Sequence, residues 1–313
     1  MIQALVCMSH SPLLEYTNPP AEVKAAVEES FEQVRKFVHD FNPDLVINFG
    51  PDHYNGFFQD LMPPFCVAYN AHGTGDYDSF DGVLNVPTEI AENLAAFLVE
   101  QDLDVAISRK MEVDHGAVQP MEIIYDGAPD AKPMIPIFIN SVSRPFTKMA
   151  RVRKLGAAVG EYFRNSDKKV LFIGSGGLSH DPPVPRFHEA TEEQKQFLVE
   201  GRNPTPEARA ARQERTINTA IAFAKGEADI MELNPKWDQE FMRVCREGNV
   251  EEFDKYHADD MDAAAGHSSH EVRTWVAAYS ALRACGEYTV TYEFYKPIKE
   301  YIAGFGVTTA VLD

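Results

Sequence analysis

No stretch of this chain approaches the ~18 consecutive apolar residues of a bilayer-spanning helix, so a membrane span is not expected. The N-terminal MIQALVCMSHSP also lacks the basic start and long apolar run of a secretory leader. Cysteine is scarce. Cys7, Cys66, Cys245 and Cys285 form no C-x-x-C pair, which argues against a disulfide scaffold and a structural zinc site and points to reduced thiols in a cytoplasm. Basic residues are few as well, 29 Lys and Arg against 48 Asp and Glu, for a net charge of −19. Nucleic acid and anionic membranes need clustered positive charge, so neither is an expected partner. Several catalytic signatures are missing. His188-Glu189 and His270-Glu271 lack the second histidine of H-E-x-x-H, and no EF-hand or Walker loop is present.

What the chain does have is alternation. IQALVCM, PDLVINFG, PMIPIFIN and KKVLFIGS read as buried strands, and residues 20–40, 87–100 and 146–165 carry helical periodicity. LDVAIS reads as extended. From about 190 to 285 the pattern turns helical and strongly charged, and the tail from Tyr288 is β-rich and aromatic. Without an internal repeat or linker, residues 1–313 are expected to form one α/β domain. The expected architecture is a three-layer sandwich around a largely parallel or mixed sheet, with a helical segment in the C-terminal third.

The histidines carry the functional signal. His10, His53, His115 and His180 each follow an apolar run and sit in a Gly-, Pro-, Ser- or Asp-rich connection. Strand ends of an α/β sheet open onto one crevice, where ligands bind. Two imidazoles and one carboxylate on one face of an ion suit Fe(II) with open positions. His10 and His53 are the first imidazole candidates and Glu271 the carboxylate, with Ser268 or Ser269 capping a helix in whose first turn Glu271 would lie. His267 and His270 compete as an alternative pair, or simply form a polar helix start. His115 and His180 suit proton transfer, since imidazole titrates near neutral pH. Asp114 is the neighbour expected to bias His115 towards its charged form. The glycines of GSGGLSH (Gly174–His180) would let backbone pass close to a ligand. That same segment is a near miss to G-x-S-x-G, which leaves a serine hydrolase using Ser179 as one alternative. A non-catalytic metal-binding protein is another.

SHSP, PDHYNGFF followed by MPPFC, VDHGAVQP, FIGSGGLSHDPPVP, HEVRTWVAA and YIAGFG occur in this order over essentially the whole chain. Together they resemble the class III extradiol ring-cleaving dioxygenases of the LigB superfamily. The resemblance implies Fe(II) held by His10, His53 and Glu271, and acid–base roles for His115 and His180. It also implies O2 as co-substrate and a homo-oligomer that takes part in aromatic catabolism. The substrate it implies is a catechol such as 3-(2,3-dihydroxyphenyl)propionate or 2,3-dihydroxycinnamate, opened to a hydroxymuconic-type acid. His180 would be the base and His115 the acid. Arg144, Arg186, Arg273, Lys296 and Lys299 are candidates for the substrate carboxylate, and Phe57 and Phe58 either wall the ring or pack in the core.

Overall fold

A computed structural model describes residues 2–313. The first half runs β1 (Gln3–Met8), α1 (Ala21–Phe41), β2 (Leu45–Gly50), β3 (Phe65–Ala68), β4 (Ala71–Thr74), β5 (Asp81–Val83), α2 (Thr88–Glu100), β6 (Ala106–Ser108), β7 (Met111–Val113) and α3 (His115–Ile124). It continues through β8 (Met134–Ile139), α4 (Met149–Phe163), β9 (Val170–Ser175), α5 (Glu192–Glu200), α6 (Pro206–Ala224), α7 (Pro235–Glu247), α8 (Ala258–Ala265), α9 (Val272–Cys285), β10 (Tyr288–Ile298) and β11 (Ala303–Leu312).

Eight strands form one mixed sheet in the order β10-β11-β1-β9-β2-β8-β3-β6. Its centre, β1-β9-β2-β8, is parallel, and β11 and β3 close the two sides antiparallel. Every residue of β1, β2, β8 and β9 is buried. That burial is why these strands read as continuous apolar runs: helices cover both faces of the sheet. One core lies between the sheet and α2, α4, α7 and α9. The other lies beneath α1, α3 and the end of α6. The three-layer sandwich expected from the sequence is therefore the observed architecture, with a separate three-stranded sheet, β5-β4-β7, at one side. Among the described residues no helix is long and apolar enough to cross a membrane.

The strand order places the site. β1, β9 and β2 are adjacent and parallel, so their C-terminal ends open side by side. The chain leaves these ends towards His10, His180 and His53 respectively.

Candidate active site

A cavity of about 830 Å3, counting the part open to solvent, lies over these strand ends. His10, His53, His115, His180 and Glu271 all line it. The structure thus brings together all five residues singled out from the sequence.

Each imidazole has one nitrogen tied from behind. The Ser175 hydroxyl has a single proton and donates it to the Gly116 carbonyl at 2.5 Å, so the His10 Nδ1–H donates to Ser175 Oγ at 2.9 Å. His53 Nδ1–H donates to Asp114 Oδ2 at 3.1 Å, His115 Nδ1–H to Asp76 Oδ2 at 2.5 Å, and His180 Nδ1–H to the Leu178 carbonyl at 2.9 Å. Nε2 of each ring is left for the cavity. His53 Nε2 and His180 Nε2 both lie 3.0 Å from Glu271 Oε1, and His10 Nε2 lies 3.4 Å from Oε2. The His53 and His115 rings stack at 4.5 Å.

This arrangement calls for positive charge at its centre. With Nδ1 protonated, a neutral imidazole presents a lone pair at Nε2, and here such lone pairs face a carboxylate. A proton or a metal ion must lie between them. The electrostatics agree. Burial alone would lower the pKa of His53, but the charges of Asp114 and Glu271 overcome it and hold the pKa well above the usual range. His180 likewise resists burial through Glu271 and is raised. Burial would push the Glu271 carboxyl up, yet the facing imidazoles pull it well below the usual carboxylate range. His10 goes the other way: burial drops it to about 3, so it stays neutral, with a lone pair free at Nε2. With a metal ion in place of the proton on His53, two neutral nitrogens and an ionised carboxylate make a donor set that fits a divalent metal. Donor atoms of His10, His53 and His115 also lie within 4.8 Å of one another, so His115 stands close to any ion held there.

Several local expectations are corrected. Asp114 is not the hydrogen-bond partner of the His115 ring: it binds the His53 ring and backbone N–H and caps α3 through Gly116 N–H, while Asp76 holds the His115 ring and its backbone N–H. Asp76 lies 39 residues upstream, across a loop that no local pattern marks. Glu271 is not placed by a serine cap. It ends a short 3-10 turn, Ser269–Glu271, that runs directly into α9 without a side-chain cap from Ser268. Gly174 and Gly176 admit the start of this helix, and Gly177 lies against the His180 ring. A Cβ on Gly176 would lie 2.7 Å from Glu271 Cβ, and the Gly177 N–H donates to Glu271 Oε2 at 2.9 Å.

Other candidates go elsewhere. His267 pairs with Asp181, and His270 is buried between Asp262 and Arg273, so the HSSH pair does not converge. Phe57 stacks on Phe138 at 3.8 Å, and Phe58 packs beside Tyr54 and Leu198; neither lines the cavity. Ser179 is fully buried. Its hydroxyl donates to Asp238 Oδ2 at 2.8 Å, and Tyr295 donates to the same oxygen. Among the described residues no imidazole hydrogen-bonds to Ser179, so the hydrolase alternative has no activated nucleophile. None of Arg144, Arg186, Arg273, Lys296 or Lys299 lines the cavity; Arg212 and Arg215 of α6 do. Their three-residue spacing was visible in the sequence, but it reads as a solvated helix face.

Residues 4–306 match the family described as the catalytic LigB subunit of aromatic ring-opening dioxygenase. The chain belongs to the LigB family. It is an extradiol catechol dioxygenase, and family membership implies a metal cofactor, which the donor set above fits. The LigB chain is 70% identical over its whole length to a 2,3-dihydroxyphenylpropionate/2,3-dihydroxicinnamic acid 1,2-dioxygenase of Rhodococcus globerulus, covering 99% of that protein. It is 46% identical to one from Dechloromonas aromatica, with 98% of each chain covered. An uncharacterized Escherichia coli K12 protein of known crystal structure shares the fold alone, at 13% identity and a TM-score of 0.53 over 97% of this chain and 98% of that one.

Proposed function

We propose that this LigB-family enzyme uses Fe(II), held by His10, His53 and Glu271, to open 3-(2,3-dihydroxyphenyl)propionate or 2,3-dihydroxycinnamate with O2. The observation that carries this reading is the convergence of three imidazole Nε2 atoms, those of His10, His53 and His180, on one buried carboxylate at the ends of three adjacent parallel strands. The names of the full-length relatives support the choice of substrate. When bound, iron supplies a Lewis acid for the catechol oxygens and an electron partner for O2.

The protein's own groups handle the protons. His180 takes the catechol proton at Nε2, because its Nδ1 is committed to the Leu178 carbonyl. Glu271 Oε1, at 3.0 Å, stabilises the imidazolium that results. His115 returns a proton from Nε2, and Asp76 fixes its tautomer from behind, as a carboxylate does for a catalytic histidine. Leu13, Val184, Phe197 and Ile302 keep water from the ring. A base and an acid at one pH need different surroundings, and these two histidines have them: one beside Glu271, the other beside Asp76.

The test is to mix Fe(II)-loaded protein with 3-(2,3-dihydroxyphenyl)propionate under labelled O2. One O2 should disappear per catechol, with both atoms in a yellow ring-opened acid. Turnover at full rate without oxygen would end this reading.

A further inference from the structure

We propose that Arg215 is the residue that receives the anionic side chain of the catechol. The inference rests on the dioxygenase reading above and adds the group that selects among catechols.

Only two cations line the cavity among the described residues, Arg212 and Arg215. Arg212 is committed. It donates to the Tyr54 carbonyl at 2.9 Å and to Asn55 Oδ1, and its guanidinium lies 5.1 Å from the centre of the Phe197 ring. The buried carboxylates of Asp76, Asp114 and Asp52 face it, so its charge balances theirs. Arg215 follows three residues later on α6, on the same side of the helix. Among the described residues its guanidinium makes no hydrogen bond or ion pair. It is exposed, and it also borders two neighbouring surface depressions, which places it at the mouth.

The other cations near this end are taken. Arg186 pairs with Glu189 and His267, Arg144 with Asp259 and Asp262, Arg202 with Asp60 and the Gly56 carbonyl, and Arg209 with the Thr74 carbonyl. A catechol whose two hydroxyls reach the imidazole floor carries its 3-substituent out to the side of the ring, and the flexible propionate chain is long enough to turn from there towards the mouth. There the planar fork of Arg215 can take a carboxylate through two parallel N–H···O bonds. On a chain of net charge −19, an anion needs such a local cation.

The experiment compares kcat/KM for 3-(2,3-dihydroxyphenyl)propionate and for uncharged 3-propylcatechol, using the iron-loaded enzyme. The ratio of the two is the readout. In Arg215→Met the ratio should fall about tenfold or more, mainly through KM for the propionate. Arg215→Lys, which keeps the charge but loses the fork, should recover part of it. Arg186→Met should leave the ratio as in the wild type. Arg215→Glu should turn preference towards 3-(2-aminoethyl)catechol. A ratio within twofold of wild type in Arg215→Met, or a drop produced by Arg186→Met instead, overturns the assignment. If the wild-type enzyme opens neither propionate nor propylcatechol, the dioxygenase reading fails and the assignment with it.

Discussion

Two helices border the same cavity and could hardly differ more. α9, entered through Glu271, buries eleven of its fourteen residues, Val272 through Leu282. α6, which carries Arg212 and Arg215, buries only Ala220 and Phe223 of nineteen. A helix that is apolar all round sits inside a protein, and one with a narrow apolar stripe lies on its surface. α9 is locked between β9 and α4, so the carboxylate at its start is held by the whole core. α6 rests mainly on the Lys299–Tyr301 turn, so its arginines form a wall that can vary while the chemistry below stays fixed. On the proposed function, the contrast separates what makes the reaction possible from what chooses the molecule that undergoes it.

The strongest way to break this contrast is at the α9 end. Glu271→Gln and His53→Ala should lose bound iron and all ring-opening activity, while the circular dichroism of the sheet and helices remains. Stoichiometric iron in either variant would remove that residue from the metal site. Next in size are the two proposed proton carriers. His115→Gln and His180→Gln should retain iron and lose about 10²–10⁴-fold in kcat. The two aspartates behind the site sharpen the point. Asp114→Asn, behind His53, should weaken metal affinity by about 10–100-fold. Asp76→Asn, behind His115, should leave metal affinity unchanged and lower kcat. The same phenotype from both aspartates would mean that His115 and His53 do not have separate tasks.

The legibility of the molecule follows the same divide. The buried strands were readable because burial on both faces leaves continuous apolar runs. His10, His53 and His180 were readable because they follow such runs. Asp76 was not, since its link to His115 depends on how the loop before β5 folds back over the start of α3. Arg215 was invisible for a different reason: a charged residue on an exposed helix looks the same whether or not a cavity opens beside it. Ser179 shows the opposite error. Its motif resembled a nucleophile's, but burial and Asp238 make it a structural link. There Gly304 is required, because a Cβ would fall 2.1 Å from Asp238 Oδ2.

Stability should divide along the same line. Trp275→Ala, in the fully buried middle of α9, should cost about 3–5 kcal/mol in urea unfolding. Substitutions on the exposed face of α6, such as Glu214→Ala, should change stability by less than about 0.5 kcal/mol. Equal losses would mean that α6 is as deeply integrated as α9.

A smaller loss than that of Trp275 is expected at the brace at the entrance to α9. Asp262 on α8 accepts from His270 Nε2 at 2.6 Å and pairs with Arg144. Burial would raise its carboxyl, but the hydrogen bonds from His270 and Arg144 outweigh it and bring the pKa down to about 2. A carboxylate with a lower pKa in the folded than in the unfolded chain contributes stability above the unfolded value, near 3.9, and loses it as pH falls towards 2. The side chain is 19% exposed, so solvent screening reduces the contribution to about 1 kcal/mol. Asp262→Asn should therefore cost about that much at pH 6, and the difference from wild type should shrink as unfolding is measured from pH 4 downwards. High salt should shrink it too. A cost that stays constant across this range would show that the brace acts through hydrogen-bond geometry and not through charge.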